Sequence, residues 1–268
     1  MPSTALLPAG AGAGAAAIRG VAQRLGCASE SCVLAHPAVR QYAAAQGSAE
    51  ALAGDLKARF KAAGPRAGAA LLSNVHIDET LARWAARFPD FFPCPFAMMD
   101  FERNGDLFGE IDLADVVGGR AVADLGPGRG RVRRPFASFG CVLNTDVSSG
   151  PGKHWVAVFV DARAGAGAPF TVEFFNSTGQ PPPRPLVRWM ERARGQLDRF
   201  RASQPAGGPV LVLPPSRVEH QRSDTECGLY SLFYLRCRLE RVPPEFFAAR
   251  RIPDAAMAAF RRHCFRAA

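Results

Sequence analysis

The sequence predicts an α+β fold, in which helices cover a sheet and a small helical arm precedes the main domain. Two hydrophobic runs with strand composition, 154–161 and 170–176, flank a Gly/Ala turn and indicate a β-hairpin. Apolar residues recur at helical spacing before and after this hairpin. With 268 residues, of which 48% are hydrophobic and 21% charged, the chain is long enough to bury a core of this kind.

The arm is indicated by a change in composition near residue 68. A low-complexity Ala/Gly stretch occupies 10–17, and apolar residues at helical spacing continue from about 18 to 63. The Gly-Pro-Arg-Ala-Gly segment at 64–68 then breaks the pattern. We therefore assign residues 1–68 to the arm and residues 69–268 to the main domain. Without a continuous apolar core or a clean cleavage signal, the start of the arm is expected to be a flexible terminus rather than a targeting peptide.

The main domain is predicted to open with a helix that Ser73 or Asn74 can cap and that ends at Phe88-Pro89. Its apolar positions are Ile77, Leu81, Trp84 and Phe88. A later helix over 186–202 has arginine-rich outer faces and is expected to cover the sheet with an apolar stripe of Trp189, Ala193, Leu197 and Phe200. Residues 210–213 indicate a buried strand. The glycines at 126–130 indicate a surface loop, because the Lys-Ser/Thr of a phosphate loop does not follow them.

The predicted hairpin brings two polar residues to its open end. If Asp161 faces Phe170 across the turn, the numbers of paired residues sum to about 331, and those of His154 and Asn176 sum to 330. These two side chains are therefore expected within about one residue of each other. Asp161 lies more than about 20 Å from His154 along an extended strand, so we do not expect it to contact this imidazole.

Charge and cysteine content limit the classes of function. The 33 basic and 24 acidic residues give a net charge of +9, which favours contact with nucleic acid. The arginines are scattered, however, and a GC-rich coding bias would produce them without a ligand, so only a weak accessory contact is expected. No apolar run reaches the roughly eighteen residues of a membrane span. The 7 cysteines include no C-x-x-C pair, so neither a disulfide framework nor a structural zinc site is expected.

A polar loop runs into an apolar helix late in the chain, and Cys227 stands at the junction. A thiol at a helix N-terminus is expected to have a lowered pKa, which favours the nucleophilic thiolate. Gly228 allows a substrate carbonyl to approach the backbone closely. Gln221 can donate a hydrogen bond to a developing oxyanion, together with the Cys227 amide. Such a nucleophile also needs a base and an acceptor that orients the base, and His154 and Asn176 fit these needs.

Three short motifs occur in a specific order: G-x-H-W at 152–155, F-F-N-S at 174–177 and Q-x5-C-G at 221–228. In this order they resemble the cysteine-protease superfamily that includes SUMO-specific proteases and the adenovirus protease. The chain is most similar to the polyprotein-processing proteases of large cytoplasmic DNA viruses, the African swine fever virus and poxvirus enzymes. The resemblance covers about residues 70–240, and the Leu-Ser-Asn-x-x-Ile-Asp segment at 72–78 agrees with it.

The resemblance implies a papain-like, SUMO-protease-like core with a central mixed sheet flanked by helices. It also implies the roles of four residues: nucleophile Cys227, general base His154, orienting residue Asn176 and oxyanion donor Gln221. Many relatives have Asp at the orienting position, whereas the African swine fever virus-like branch has Asn. An amide oxygen can accept the imidazole N–H but stabilises the imidazolium less than a carboxylate does.

Trp155 resembles the aromatic residue that roofs a narrow tunnel in the SUMO proteases, where only Gly-Gly precedes the scissile bond. The second tunnel tryptophan of those enzymes has no counterpart here, and Leu71 or Leu72 stands near its place. Preference for Gly-Gly-Xaa is therefore implied by the resemblance, and one of the two tunnel tryptophans, Trp155, is present in this sequence. Trp155 and Gly228 are the expected substrate-binding residues.

On this resemblance, the chain is expected to be a cysteine endopeptidase that processes a viral structural polyprotein after Gly-Gly during virion maturation. It would act in the host cytoplasm, at the viral factory, and in the virion. No metal or organic cofactor is expected. Two alternatives stay open: a protease that deconjugates ubiquitin-like modifiers of the SUMO type, using the same residues, and a non-catalytic module that binds DNA or core protein.

Overall fold

The computed structural model describes residues 25–27, 36–38, 41, 62–65, 70–125, 130–163, 165, 168–204 and 208–266. Most of the helices expected in the arm, and most of the loop expected at 126–130, lie outside these residues. The described strands are β1 (Ala62–Ala63), β2 (Phe91–Pro93), β3 (Ala97–Met98), β4 (Val122–Asp124), β5 (Arg131–Arg133), β6 (Ser138–Asn144), β7 (Trp155–Asp161), β8 (Phe170–Phe175), β9 (Val210–Val212) and β10 (Phe265–Arg266). The helices within residues 70–266 are α1 (Asn74–Arg87), α2 (Leu107–Glu110), α3 (Leu113–Val117), α4 (Arg184–Ala202), α5 (Cys227–Leu239), α6 (Glu245–Ala249) and α7 (Asp254–Cys264).

A six-stranded mixed sheet forms the centre of this structure. Its main path runs β2-β6-β7-β8-β9, and β3 also pairs with β6. The β6–β7 and β7–β8 pairs are antiparallel, whereas β2 and β3 pair with β6, and β9 with β8, in parallel. All of β6 and nearly all of β7 are buried, so these two strands lie in the core. The expected central mixed sheet is confirmed.

Helices cover both faces of the sheet. Trp189 of α4 stacks on Phe139 of β6 at a centroid distance of 5.9 Å. Leu235 of α5 lies over the next residue of the same strand, Gly140, where a Cβ would come within 3.3 Å of its Cδ2. Because successive residues of a strand point to opposite faces, α4 and α5 lie on opposite sides of β6. The expectation of a sheet flanked by helices is therefore confirmed.

The predicted hairpin is present, but its register differs from the expected one. Asp161 pairs with Thr171, not with Phe170, so the numbers of paired residues sum to 332. Phe170 instead pairs with Val210 of β9 on the other side of β8. A long Gly/Ala turn does not determine register by itself, and here the neighbouring strand contributes to it.

Other sequence predictions are confirmed or corrected element by element. Helix α1 begins after Ser73, whose side chain accepts from the His76 N–H, and it ends at Phe88 as expected. The stripe of α4 is buried at Trp189, Ala193 and Leu197. The strand predicted at 210–213 is shorter and lies at the edge of the sheet, where Leu211 remains 42% exposed, so the expectation of a buried strand was wrong.

A buried ionic cluster joins the hairpin to α5. Arg238 donates from Nε to Glu173 Oε2 at 2.7 Å and from Nη2 to Asp161 at 3.1 Å. Tyr234 donates from its hydroxyl to Glu173 Oε2 at 2.7 Å. Asp161 is also paired with Arg163 at 2.6 Å. These contacts assign Asp161 to the ionic cluster.

The cysteines include one departure from expectation. Cys94, Cys141, Cys227 and Cys237 are free thiols. Cys27 takes part in a disulfide bond. The cysteine count argued only against full pairing, so it did not exclude this single bond.

Near the C-terminus, β10 pairs in parallel with β1, which joins the end of the arm to the main domain.

Candidate active site

His154 and Asn176 lie at the open end of the hairpin, as the sequence predicted. His154 directly precedes β7 and Asn176 directly follows β8. The Nε2 atom of His154 lies 2.8 Å from Oδ1 of Asn176. The different register shifts the two positions along the strands, yet both side chains still reach each other across the opening.

The side chain of Asn176 is itself held in one orientation. Its Oδ1 accepts hydrogen bonds from the Thr178 N–H at 3.1 Å and from the Thr178 hydroxyl at 2.9 Å. Its Nδ2 donates to the carbonyl oxygen of Gln180 at 3.4 Å. An amide oxygen can only accept, so the His154 nitrogen that faces it must carry the proton. The other ring nitrogen, Nδ1, is then the basic one.

Cys227 is the first residue of α5 and is only 4% exposed. Burial raises the pKa of its thiol above the ordinary value of 9.0, although hydrogen bonds from the backbone N–H groups of Trp155, Gly228 and Cys227 itself act in the opposite direction. The net shift of this pKa is therefore opposite to the lowering expected at the helix N-terminus, because burial outweighs these hydrogen bonds. The bond from Trp155 places the sulfur beside the residue that follows His154.

Burial also controls the charge of the imidazole. It lowers the pKa of His154 below its ordinary value of 6.5, while the hydrogen bond to Asn176 raises this pKa by less. A lowered imidazole pKa and a raised thiol pKa both favour neutral groups. At neutral pH the resting pair is therefore thiol and imidazole, which suits transfer of the thiol proton to His154 during attack.

Gln221 is fixed beside the same turn. Its Oε1 accepts from the Ser177 hydroxyl at 2.7 Å, and its Nε2 donates to the Ser223 carbonyl oxygen at 2.6 Å. The Gln221 backbone N–H also bonds to the Ser177 carbonyl oxygen at 3.0 Å. A primary amide has two N–H groups, so one remains for an oxyanion after the bond to Ser223.

Trp155, Leu72 and Gly228 pack closely against one another next to Cys227. The indole N–H of Trp155 donates to the Leu72 carbonyl oxygen at 3.2 Å. A Cβ on Gly228 would lie 3.2 Å from Leu72 Cβ and 3.3 Å from Trp155 Cδ1. The ring of Phe96 packs edge-on against Trp155 from the side, at 6.2 Å between centroids. Of the two leucines named from the sequence, Leu72 is buried at this place and Leu71 is exposed.

Several supporting residues were not identified from the sequence. Ser177 binds Gln221 and Thr178 binds Asn176, and these are the two residues that follow Asn176 in the chain. Ser177 is the last residue of the F-F-N-S motif, so the motif already pointed to it. In the structure it is 1% exposed, and a serine buried to this degree needs a hydrogen-bond partner. His220 stands in a polar segment of the sequence, yet it is fully buried and accepts from the Ile252 N–H at 3.1 Å. His76 caps α1 by accepting from the Ser73 N–H.

Residues 142–267 match the Ulp1 protease family, C-terminal catalytic domain, and this span contains His154, Asn176, Gln221 and Cys227. The cysteine protease S273R of African swine fever virus, isolate Tick/Malawi/Lil 20-1/1983, is 49% identical over 246 residues, which are 92% of this chain and 85% of the relative. A relative from isolate Pig/Kenya/KEN-50/1950, named SUMO-1 cysteine protease S273R, has the same identity and coverage. The chain therefore belongs to the Ulp1 protease family and is a cysteine protease.

Solved structures agree with this membership. The crystal structure of the African swine fever virus pS273R protease matches with a TM-score of 0.78 and 42% identity, covering 99% of this chain and 95% of that one. The structure of ChlaDub1 from Chlamydia trachomatis matches with a TM-score of 0.51 and 14% identity, over 76% of this chain and 94% of that one, which shows a shared fold alone. Among the described helices, none is long and apolar enough to cross a membrane.

Proposed function

We propose that the chain is an endopeptidase that cleaves a viral structural polyprotein after Gly-Gly during virion maturation. The observation that carries the catalytic assignment is the hydrogen bond of 2.8 Å between His154 and Asn176, with the buried sulfur of Cys227 bound by the N–H of Trp155, the residue after His154. The African swine fever virus relatives support a viral role. We further propose that the chain acts at the viral factory in the host cytoplasm and in the virion. The net charge of +9 supports a weak accessory contact with nucleic acid.

The proposed reaction uses each site residue in turn. Nδ1 of His154 takes the proton of Cys227 as the sulfur attacks the scissile carbonyl carbon. Gln221 and the Cys227 amide stabilise the oxyanion, and Asn176 holds the imidazole. The imidazolium then protonates the leaving amine, which departs and leaves an acyl-enzyme. Water, deprotonated by His154, releases the acid product and restores the thiol.

The close packing of Trp155 and Leu72 over the Gly228 backbone supports the choice of Gly-Gly. The added Cβ on Gly228 already comes within 3.2–3.3 Å of both side chains, so the space above this backbone is narrow. Substrate glycines have no Cβ to collide with such walls. Cleavage of a Gly-Gly-Xaa peptide is therefore expected to exceed that of the matched Ala-Ala-Xaa peptide by about tenfold or more. Equal rates for the two peptides would contradict this assignment.

A second candidate is removal of a ubiquitin-like modifier, favoured by the name of the SUMO-1 cysteine protease relatives. Such modifiers also present an extended C-terminal tail to the thiol. A SUMO probe with a C-terminal vinyl electrophile distinguishes the two functions. Rapid labelling of Cys227 by this probe supports deconjugation, whereas slow labelling combined with fast peptide cleavage supports polyprotein processing.

The division into an arm, 1–68, and a catalytic domain, 69–268, is also a proposal. The β1–β10 pairing shows that the end of the arm lies against the C-terminal strand. An arm that serves only as a tether can be removed without changing cleavage of a short peptide. A truncated chain that melts like the full chain but cleaves the peptide more slowly would assign the arm a part in catalysis.

A further inference from the structure

The loop that leads to His154 is built around two buried polar side chains. It connects β6 to β7 and spans residues 145–154. Asn144, the last residue of β6, is 5% exposed, and Asp146, in the loop, is 4% exposed. Buried polar groups at this level need hydrogen-bond partners, and both find them on the backbone of the loop itself.

Asn144 and Asp146 bind the two residues that directly precede His154. Oδ1 of Asn144 accepts from the Lys153 N–H at 2.9 Å, and Oδ2 of Asp146 accepts from the Gly152 N–H at 3.2 Å. Asn144 Oδ1 also accepts from the Asp146 N–H at 3.0 Å, which links the two side chains. Oδ1 of Asp146 accepts from the Lys153 ammonium at 2.9 Å. The chain therefore reaches His154 with two successive N–H groups held.

Two glycines are required by this arrangement. Gly152 has a φ of +90°, a conformation that other residues rarely adopt. A Cβ on Gly150 would overlap the Asp146 carboxylate. The glycine of the G-x-H-W motif thus has a geometric reason that does not involve substrate.

We propose that Asn144 and Asp146 are positioning residues for His154, which hold its imidazole in line with Cys227 by fixing the two preceding backbone amides. This inference rests on the proposed role of His154 as the base. Asp146 meets the electrostatic requirement, because the hydrogen bond from Lys153 lowers the pKa of its carboxyl and keeps it ionised at neutral pH. A displacement of about 1 Å in a catalytic group can reduce the rate by about a hundredfold.

The test compares two carboxylates that hold the same loop at different distances from His154. Asp146→Asn disturbs the contacts next to the imidazole. Asp100→Asn is the matched control, since Asp100 accepts from the N–H and hydroxyl of Ser148, at 2.9 and 2.7 Å, well before His154 in the chain. Peptide kcat, KM, the acid limb of kcat/KM and the melting temperature are measured for the full chain.

We expect Asp146→Asn to lower kcat by about 10- to 100-fold, with a much smaller change in KM. Its acid limb should move toward pH 6.5, because water that reaches a loosened His154 relieves the burial that lowers its pKa. Asp100→Asn should keep the wild-type kcat and acid limb. A wild-type kcat and acid limb in Asp146→Asn, or equal losses in both variants, would overturn the inference.

A second variant covers the case in which Asp146→Asn does not fold. Gly150→Ala displaces the carboxylate without changing its charge, and the same decrease in kcat and shift of the acid limb are expected. Wild-type behaviour of Gly150→Ala would then overturn the inference. The activity of His154→Ala distinguishes failure of the proposed function from failure of the positioning role. A fully active His154→Ala contradicts the proposed function. An inactive His154→Ala together with an unaffected Asp146→Asn contradicts only the positioning role.

Discussion

The Nε2 atom of His154 donates to the Oδ1 atom of Asn176 across a distance of 2.8 Å. This amide oxygen also receives two hydrogen bonds from Thr178, so its orientation is fixed by three donors. The imidazole tautomer follows from the acceptor, and Nδ1 is left unprotonated, as the proposed role of His154 as the base requires. An uncharged acceptor also leaves burial as the larger influence on the imidazole pKa, which is lowered.

Replacing the Asn176 amide by a carboxylate tests how a charge at this position changes the pKa of His154. Asn176→Asp should raise the pKa of His154, because a negative neighbour stabilises the imidazolium. Since the neutral imidazole is the proposed base, the acid limb of kcat/KM should move to higher pH than in the wild type, where it is expected below pH 6.5. An acid limb that stays in place would show that the residue at position 176 does not influence the pKa of His154.

The raised pKa of Cys227 predicts slow alkylation at neutral pH. A thiol with a pKa above 9.0 is ionised to less than about 1% at pH 7. The rate of its reaction with iodoacetamide, followed by mass spectrometry, should therefore keep rising as pH increases to 9. Cys227→Ser corrects for Cys237, whose thiol has a pKa of about 11. A rate that levels off below pH 7 would indicate a preformed thiolate–imidazolium pair instead.

A glycine substitution tests whether the tight packing around Gly228 is needed for binding of the substrate. Gly228→Ala places a methyl group 3.2 Å from Leu72 Cβ, so it should reduce kcat/KM for a Gly-Gly peptide by about tenfold or more. Gly195→Ala is the matched control, because the added Cβ meets nothing closer than 4.0 Å within α4. The control should keep wild-type activity and gain up to about 1 kcal/mol in unfolding free energy. Full activity of Gly228→Ala would show that the space around Gly228 does not limit substrate binding.

The buried ionic cluster predicts a large loss of stability on removal of one charge. Glu173 is 1% exposed and forms two hydrogen bonds with Arg238, so Glu173→Gln leaves a buried guanidinium poorly compensated. The expected cost is about 3–5 kcal/mol in urea unfolding. Glu191→Gln, which breaks the exposed pair with Arg194, should cost less than about 1 kcal/mol. Similar costs for both variants would show that the cluster adds no more than a surface pair.

The sequence predicted the parts of the site that depend on local pattern. The hairpin runs, the capped helix α1 and the helix that begins at Cys227 all follow from spacing and composition, and the motif order indicated the family. Strand β6 was not identified, because its fully buried segment shows no alternation between polar and apolar residues. The register of β8 was missed by one residue, since its partner β9 lies far away in the chain.

The electrostatic state of the site could not be read from the sequence either. A helix N-terminus lowers a thiol pKa and burial raises it, and only the structure shows that Cys227 is almost fully enclosed. The same holds for Asp146 and His220, whose polar side chains resemble surface residues until their depth is known. Burial depends on long-range packing, which a local pattern does not encode.

The central claim is that Cys227 attacks the peptide bond with His154 as its base. The most direct measurement is kcat/KM of the full chain on a Gly-Gly-Xaa peptide for the wild type, Cys227→Ala and His154→Ala, with melting temperatures to verify folding. We expect both variants to fold and to lose activity by about a thousandfold or more. Wild-type cleavage rates in either folded variant would contradict the claim.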